Sequence, residues 1–214
     1  MIFRDRRDAG QQLATRLAFL KDQPNVIVLG IPRGGVVVAA EVARALHAPL
    51  DIFLAHKIGA PFNPELAIGA VTSNGEVLLD DVLIRQLRLS QKEIAREVEQ
   101  QRAEIARRLG TFRQVRPPLD VKNKTVVLID DGVATGSTVL ASLRALRQQN
   151  PGRLILAIPV GPAETMQQLA CECDQLIVLD TPEPFYAVGR FYMRFDQTLD
   201  AEVVALLAES TLPR

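Results

Sequence analysis

A chain of 214 residues has room for one domain, or for one domain with an insertion. Its 48% hydrophobic and 23% charged content excludes wholesale disorder. Twenty-five basic residues cancel twenty-five acidic ones, so no net charge draws the chain toward nucleic acid or anionic lipid. Aromatic residues make up only 5%, with no Trp, which argues against a platform of rings for stacking bases.

The N-terminal segment lacks an apolar signal core, and no stretch approaches the length of a membrane span. The two cysteines, Cys171 and Cys173, are separated by Glu172 alone. A disulfide between them would be strained, and no His stands nearby to complete a zinc site. Two thiols in or near the core, in a reducing cytoplasmic compartment, are expected.

In chain order, an opening helix is expected over about Asp8–Leu20. Short apolar runs follow at Val26–Leu29, Leu50–Ala55, Val126–Ile129, Leu154–Pro159 and Leu176–Leu179. Each is rich in Val, Ile or Leu with few polar interruptions, as strands buried on both faces are. Helical patterns lie between them at Val36–Leu46, Val139–Gln149 and Glu164–Ala170, and a closing helix at about Ala201–Ala208. This rhythm predicts a three-layer α/β/α fold around a mostly parallel sheet, with ligands at the carboxyl ends of the strands.

Residues 82–116 fit no sheet. They hold nine basic and four acidic groups inside a neutral chain. A short helix over about Val82–Arg88 precedes a longer one capped by Ser90 and Glu93, each satisfying a free backbone N–H at its start. Ile94, Val98, Ile105 and Leu109 mark a narrow apolar stripe along it, and Gly110 ends it. The stripe is expected to mediate self-association, giving a homo-oligomer, and the stiff Arg116–Pro117–Pro118 linker closes the insertion. No internal repeat or low-complexity tract interrupts the single domain.

The stretch from Thr125 to Thr138 has the plainest chemistry. A buried strand ends in Asp130 and Asp131, then a turn rich in Gly and hydroxyls opens a helix. Backbone N–H groups of Ala134, Thr135, Gly136, Ser137 and Thr138 suit a phosphate at the helix N-terminus. Gly136 allows the backbone close to the anion. Acids beside such a nest repel the ligand unless they bind hydroxyls or a metal, which points to a sugar phosphate with Mg²⁺.

Residues 126–138 resemble the phosphoribosyl-pyrophosphate-binding motif of the type I phosphoribosyltransferases, with one departure at Gly132. The resemblance spans residues 1–80 and 120–200 and implies the fold just read, with the motif at the centre of the sheet. It implies that Asp130 and Asp131 hold the ribose 2- and 3-hydroxyls and Mg²⁺, directly or through water. It assigns the 5-phosphate to Ala134–Thr138. The Val26–Gly35 segment looks like the family's pyrophosphate loop, often built on a cis peptide and a basic side chain; Arg33, Gly34 and Gly35 fit it.

Lys57–Ala70 looks like the mobile loop that closes over the reacting bond, with Lys57 facing the leaving pyrophosphate and Glu65 ordering the loop. Residues 181–200 would be the acceptor-binding hood, where Phe185 and Tyr186 are candidates to stack on the base and Arg190 to make a polar contact. Packing of the hood onto the sheet explains the same rings. His47 and His56 read as structural. The activity implied is transfer of a phosphoribosyl group to a nitrogenous base. A regulatory sensor of phosphoribosyl pyrophosphate on the same fold is the alternative. Such a sensor would need a basic face to bind DNA, and a solvated or dimerising face suits residues 82–116 better. An Asp stands at the position of Ala134 in members that act on 6-oxopurines, so little activity on hypoxanthine or guanine is expected. Nothing matches a P-loop, and the first strand lacks the acids of a receiver domain.

Overall fold

The computed structural model describes residues 1–73, 75–110, 112 and 117–210, and only the backbone of residues 64, 65, 67, 108 and 109. Five strands form one sheet in the order β2, β1, β6, β7, β8, and every neighbouring pair is parallel. These are β1 (Val26–Gly30), β2 (Leu50–Ile52), β6 (Thr125–Ile129), β7 (Arg153–Val160) and β8 (Gln175–Asp180). All of β1 and nearly all of β6 and β7 are buried, which is why these strands read as unbroken apolar runs.

From β1 the chain passes through α2 (Gly34–Leu46) to β2, whereas α5 (Ser137–Gln148) and α6 (Ala163–Ala170) lead the other way across the sheet, to β7 and β8. Right-handed crossovers in opposite directions put these helices on opposite faces, giving the three expected layers. Helix α1 (Arg6–Arg16) packs on α2 and reaches β7 and β8, and α7 (Asp200–Glu209) rests against α2. The direction reverses between β1 and β6. The loops after these two strands therefore face one crevice.

The second run behaves differently from the expected strand and loop. Strand β2 ends at Ile52, and β3 (Ala55–Ala60), β4 (Asn63–Thr72) and β5 (Val77–Leu79) form a separate antiparallel sheet. Lys57–Ala70 is thus a paired hairpin rather than an open loop. Its Gly, Ala, Pro and Asn content hides the alternation, but Ile58, Ala60, Ile68 and Ala70 are buried. Gly69 is required there, because a Cβ would lie 2.3 Å from the Leu78 carbonyl oxygen.

The insertion consequently starts earlier than residue 82. Helix α3 (Asp81–Leu87) leads to α4 (Gln91–Leu109), which carries the expected capping box: Ser90 N donates to Glu93 Oε2 at 2.9 Å, and Glu93 N to Ser90 Oγ at 3.3 Å. Gly110 follows α4 with right-handed backbone. The apolar stripe does not offer itself to a second molecule. Val98 and Ile105 are buried, and α4 packs on β3 and β4 of its own chain. The stripe is narrow because the small sheet beneath it is narrow. Leu109's side chain and Arg116 lie outside the described residues. Past the insertion, the buried Asp51 accepts from Leu119 N at 2.9 Å and ties the returning chain to β2.

Among the described residues no helix is long and apolar enough to cross a membrane. Cys171 is exposed and Cys173 half-buried; both are free, so Cys171 departs from the expected core position. Because Val98 is 8% exposed, Val98→Glu places a charge in an apolar seam. It is expected to cost about 3 kcal/mol, read as a lower urea midpoint, whereas a stripe facing solvent would tolerate it.

Candidate active site

The site is built where the loops after β1 and β6 touch. Gly34 and Gly35 open α2, and Asp130 and Asp131 follow β6. A Cβ on Gly35 would lie 2.8 Å from Asp130 Cα, and one on Gly34 1.9 Å from Asp131 Oδ2. Only backbone fits between the two motifs, so these glycines are set by contact rather than by a turn. The Pro32–Arg33 peptide bond beside them is cis. Arg33 is exposed, with Nη1 3.5 Å from Asp200 Oδ1 on α7.

Both acids are half-buried rather than facing open solvent. Asp130 Oδ1 accepts from Asp131 N at 2.9 Å. Asp131 Oδ2 accepts from Arg6 Nε at 2.6 Å, an ion pair whose side chains are 13% and 16% exposed. Burial and then the neighbouring Asp131 push the Asp130 carboxyl well above its ordinary range. Burial also raises Asp131, against the lowering effect of Arg6.

The turn over residues 134–138 is open at the start of α5. Gly136 has φ +78 at the N-cap of α5, with no side chain capping the helix, and Ala134, Thr135, Ser137 and Thr138 are exposed. The left-handed backbone at Gly136 is one that a Cβ would strain. Thr165 Oγ1 donates to Ala134 O at 3.1 Å and steadies the turn. Lys57 joins this part of the site: with Ser137 and Thr138 it lines a cleft of about 450 Å³ whose far wall is Glu97, Gln100 and Gln101 of α4. Lys57 therefore shares a cleft with the start of α5. The side chain of Glu65 lies outside the described residues.

In the hood, Phe185 stacks on Phe191 at 5.2 Å and packs in a small cluster with Phe3, Val160 and Tyr192, so its ring is engaged in packing. Tyr186 is 69% exposed, and the Arg190 guanidinium lies 5.1 Å from its ring centre. Val188 fills the space over Gly132, where a Cβ would come within 2.3 Å of Val188 Cγ1. This accounts for the one motif position that departs from the expected pattern. His47 contacts Asp22 at 2.7 Å, and His56, which contacts Gln101 at 3.3 Å, lines the same cleft as Lys57, Ser137 and Thr138.

Three residues escaped the sequence reading. Arg6 and Tyr192 both grip Asp131, the latter by donating its hydroxyl to the Asp131 carbonyl, and Val188 covers Gly132. Burial keeps the Tyr192 hydroxyl protonated, pushing its pKa up. No spacing rule joins positions so far apart in the chain. Among the described residues no group of three or more His, Cys, Asp or Glu converges on a metal position. Two adjacent carboxylates suit a Mg²⁺ that arrives coordinated by phosphates and keeps several waters.

A family model for the phosphoribosyl transferase domain matches residues 6–180, which include both glycine-rich loops and the acid pair. The chain belongs to the phosphoribosyl transferase family. A Mycobacterium tuberculosis protein named provisionally as a phosphoribosyl transferase is 43% identical over 96% of this chain and 46% of its own length. The chain thus spans about half the length of the curated mycobacterial relatives it matches. A ribose-phosphate pyrophosphokinase of Methanopyrus kandleri is 30% identical over 69% of the chain and 58% of its own length. The crystal structure of a Thermus thermophilus protein matches with 43% identity and a TM-score of 0.90, covering 98% of this chain and 99% of that one. That agreement extends through the insertion, so the small sheet and its helices are shared with this relative.

Two outcomes follow from the packing and charge of the site. Gly132→Ala is expected to lower stability by about 1–3 kcal/mol by lifting Val188, and Val188→Ala in the same chain to restore part of the loss in thermal unfolding. Asp130 binds its proton more tightly folded than unfolded. Its contribution to stability is therefore full below about pH 3.8 and is lost as pH rises through the folded pKa. Asp130→Asn should stabilise the ligand-free protein at pH 7, by about 2–4 °C in Tm per kcal/mol gained, and leave it unchanged below pH 3.8.

Proposed function

We propose that this member of the phosphoribosyl transferase family displaces pyrophosphate from the anomeric carbon of phosphoribosyl pyrophosphate by a nitrogen of a base, with Mg²⁺. The observation that carries the reading is the direct seating of Gly34 and Gly35 on Asp130 and Asp131. The contact brings the glycine loop, the acid pair and the open N-terminus of α5 to one crevice, which supports binding of a donor that carries a diphosphate, ribose hydroxyls and a 5-phosphate.

In this reading, Ser137, Thr138 and the N–H groups of the 134–138 turn hold the 5-phosphate, and Lys57 neutralises charge beside it. Asp130 and Asp131 accept the ribose hydroxyls. Gly34 and Gly35 bring backbone N–H groups to the pyrophosphate, and Arg33 adds a cation at its exposed end. When bound, Mg²⁺ supplies charge neutralisation at the departing pyrophosphate. The chain's own residues position the donor so that the oxocarbenium-like centre forms where the acceptor already stands. Little covalent chemistry is asked of a side chain. Tyr186, exposed beside Arg190, remains the ring available to an acceptor.

Turnover of labelled phosphoribosyl pyrophosphate with Mg²⁺ and a panel of bases tests the reading. Release of pyrophosphate that depends on a base supports it; tight donor binding with no turnover for any base favours the sensor. Asp130→Asn with Asp131→Asn is expected to weaken donor binding at least 100-fold, equivalent to about 2.7 kcal/mol. Ala134 offers no carboxylate to handle a proton on the base, so hypoxanthine and guanine should turn over at least 100-fold more slowly than the best acceptor.

A further inference from the structure

We infer that the cleft between α5 and the small antiparallel sheet is a second small-molecule site. It takes a flat apolar body bearing one anionic group, and binds it in competition with the donor. The competition rests on the donor-binding reading above; the site itself does not.

The cleft follows from the residues on its two walls. In the register of the small sheet, Lys57 of β3 stands opposite Ala70 of β4, and Ala70 opposite Leu78 of β5, so the three form one row across one face. Helix α5 packs against β3 and β4. It lines the cleft with Ser137, Leu140, Ala141 and Arg144, spaced i, i+3, i+4 and i+7 along one stripe. Where the middle strand carries Gly69 and Ala70 and the helix carries Ala141, the side chains are too short to meet, and about 490 Å³ stays open. Past this opening, Gln149 Nε2 donates to Glu76 Oε2 at 2.7 Å and pins the far end of the helix to the chain just before β5. A volume of this size suits a small organic ligand.

Charge then selects the ligand. Leu78, Leu79 and Leu140 give the cleft apolar walls, Lys57 lies at its β3 edge, and Asp80 and Asp81 follow β5, about 10 Å away across two strand spacings. Arg144 is engaged by Glu172 at 2.7 Å, and the Asp80 carboxylate accepts from Leu83 N at 2.8 Å at the start of α3. An anion is therefore drawn to the Lys57 edge and repelled from the Asp81 edge, with uncharged rings against the leucines between. Lys57 and Ser137 also line the polar cleft of about 450 Å³ beside Thr138 and α4. The two clefts meet at one cation and one hydroxyl. In the proposed function these side chains serve the 5-phosphate of the donor, so an anion that engages them from the sheet side takes them from the donor. The antagonism is reciprocal.

The test uses 8-anilinonaphthalene-1-sulfonate, apolar rings with one sulfonate, titrated by fluorescence into the wild-type chain, A141W, L79E and K57M. N-phenyl-1-naphthylamine is its uncharged counterpart, and thermal unfolding of each variant is followed alongside. Saturable binding of one probe per chain is expected. A141W fills the cleft and L79E adds a like charge at an exposed position; each should weaken the probe about tenfold and leave donor binding at the wild-type level. K57M should bring the sulfonate probe down to the affinity of the uncharged one. Probe at about ten times its Kd should raise the apparent Kd of phosphoribosyl pyrophosphate with Mg²⁺ about tenfold, and added donor should displace the probe. Failure of the wild type to bind the probe saturably, or wild-type probe affinity in A141W or in L79E, overturns the site. Equal affinity for the two probes overturns its preference for an anion, and donor binding indifferent to the probe overturns the competition. If A141W does not fold, L79E decides. A wild-type chain that binds the probe but no donor overturns the donor reading instead, and the probe titrations alone then decide the site.

Discussion

The contact between the glycine loop and the acid pair sets the spacing on which the site depends. Strands β1 and β6 lie side by side in register, from Val26 opposite Thr125 to Gly30 opposite Ile129, so their carboxyl ends emerge together. Side chains normally hold such loops apart. Here two residues without side chains let the start of α2 rest on the acids. Backbone N–H groups and carboxylates are brought into one crevice, a combination that suits a ligand with both anionic and hydroxyl groups.

That contact is stable because the charges around it are arranged in tiers. Two adjacent half-buried carboxylates repel each other and resist ionisation. Arg6 compensates one of them, and the stacked rings of Tyr192 and Phe195 hold Arg6 in place. The hood thus acts on the acid pair through aromatic packing and a single guanidinium. Its other rings, Phe185 and Phe191, fasten it against Phe3 and Val160.

Much of the central sheet was legible because its strands are buried on both faces and read as apolar runs. The capping box of α4 was legible too, since Ser90 and Glu93 satisfy backbone donors locally. The acid pair and the turn rich in Gly and hydroxyls after it stood out as a local pattern. What escaped depends on contacts between distant residues. The β3–β4 hairpin is built from Gly, Ala and Pro, whose strand character comes from pairing and not from propensity. The stripe on α4 showed its apolar side but not which surface would cover it. Arg6 could have been suspected only as a basic residue at the start of the first helix, and Val188 only from the missing side chain at Gly132.

The backbone pairing of the chain's two distant ends has a consequence for the order of assembly. Phe3 bridges Tyr192, with Phe3 N donating to the Phe191 carbonyl and Met193 N to that of Phe3, and Arg6 reaches Asp131 across 125 positions. Contacts of such long separation close the largest loops in the chain and form only when those residues have been made. During synthesis, β1, β6 and β7 are made well before residue 192, so the grip on the acids closes only after the strands that carry them have been made. The restraints nearest the proposed chemistry are thus among those that wait for residues beyond 190.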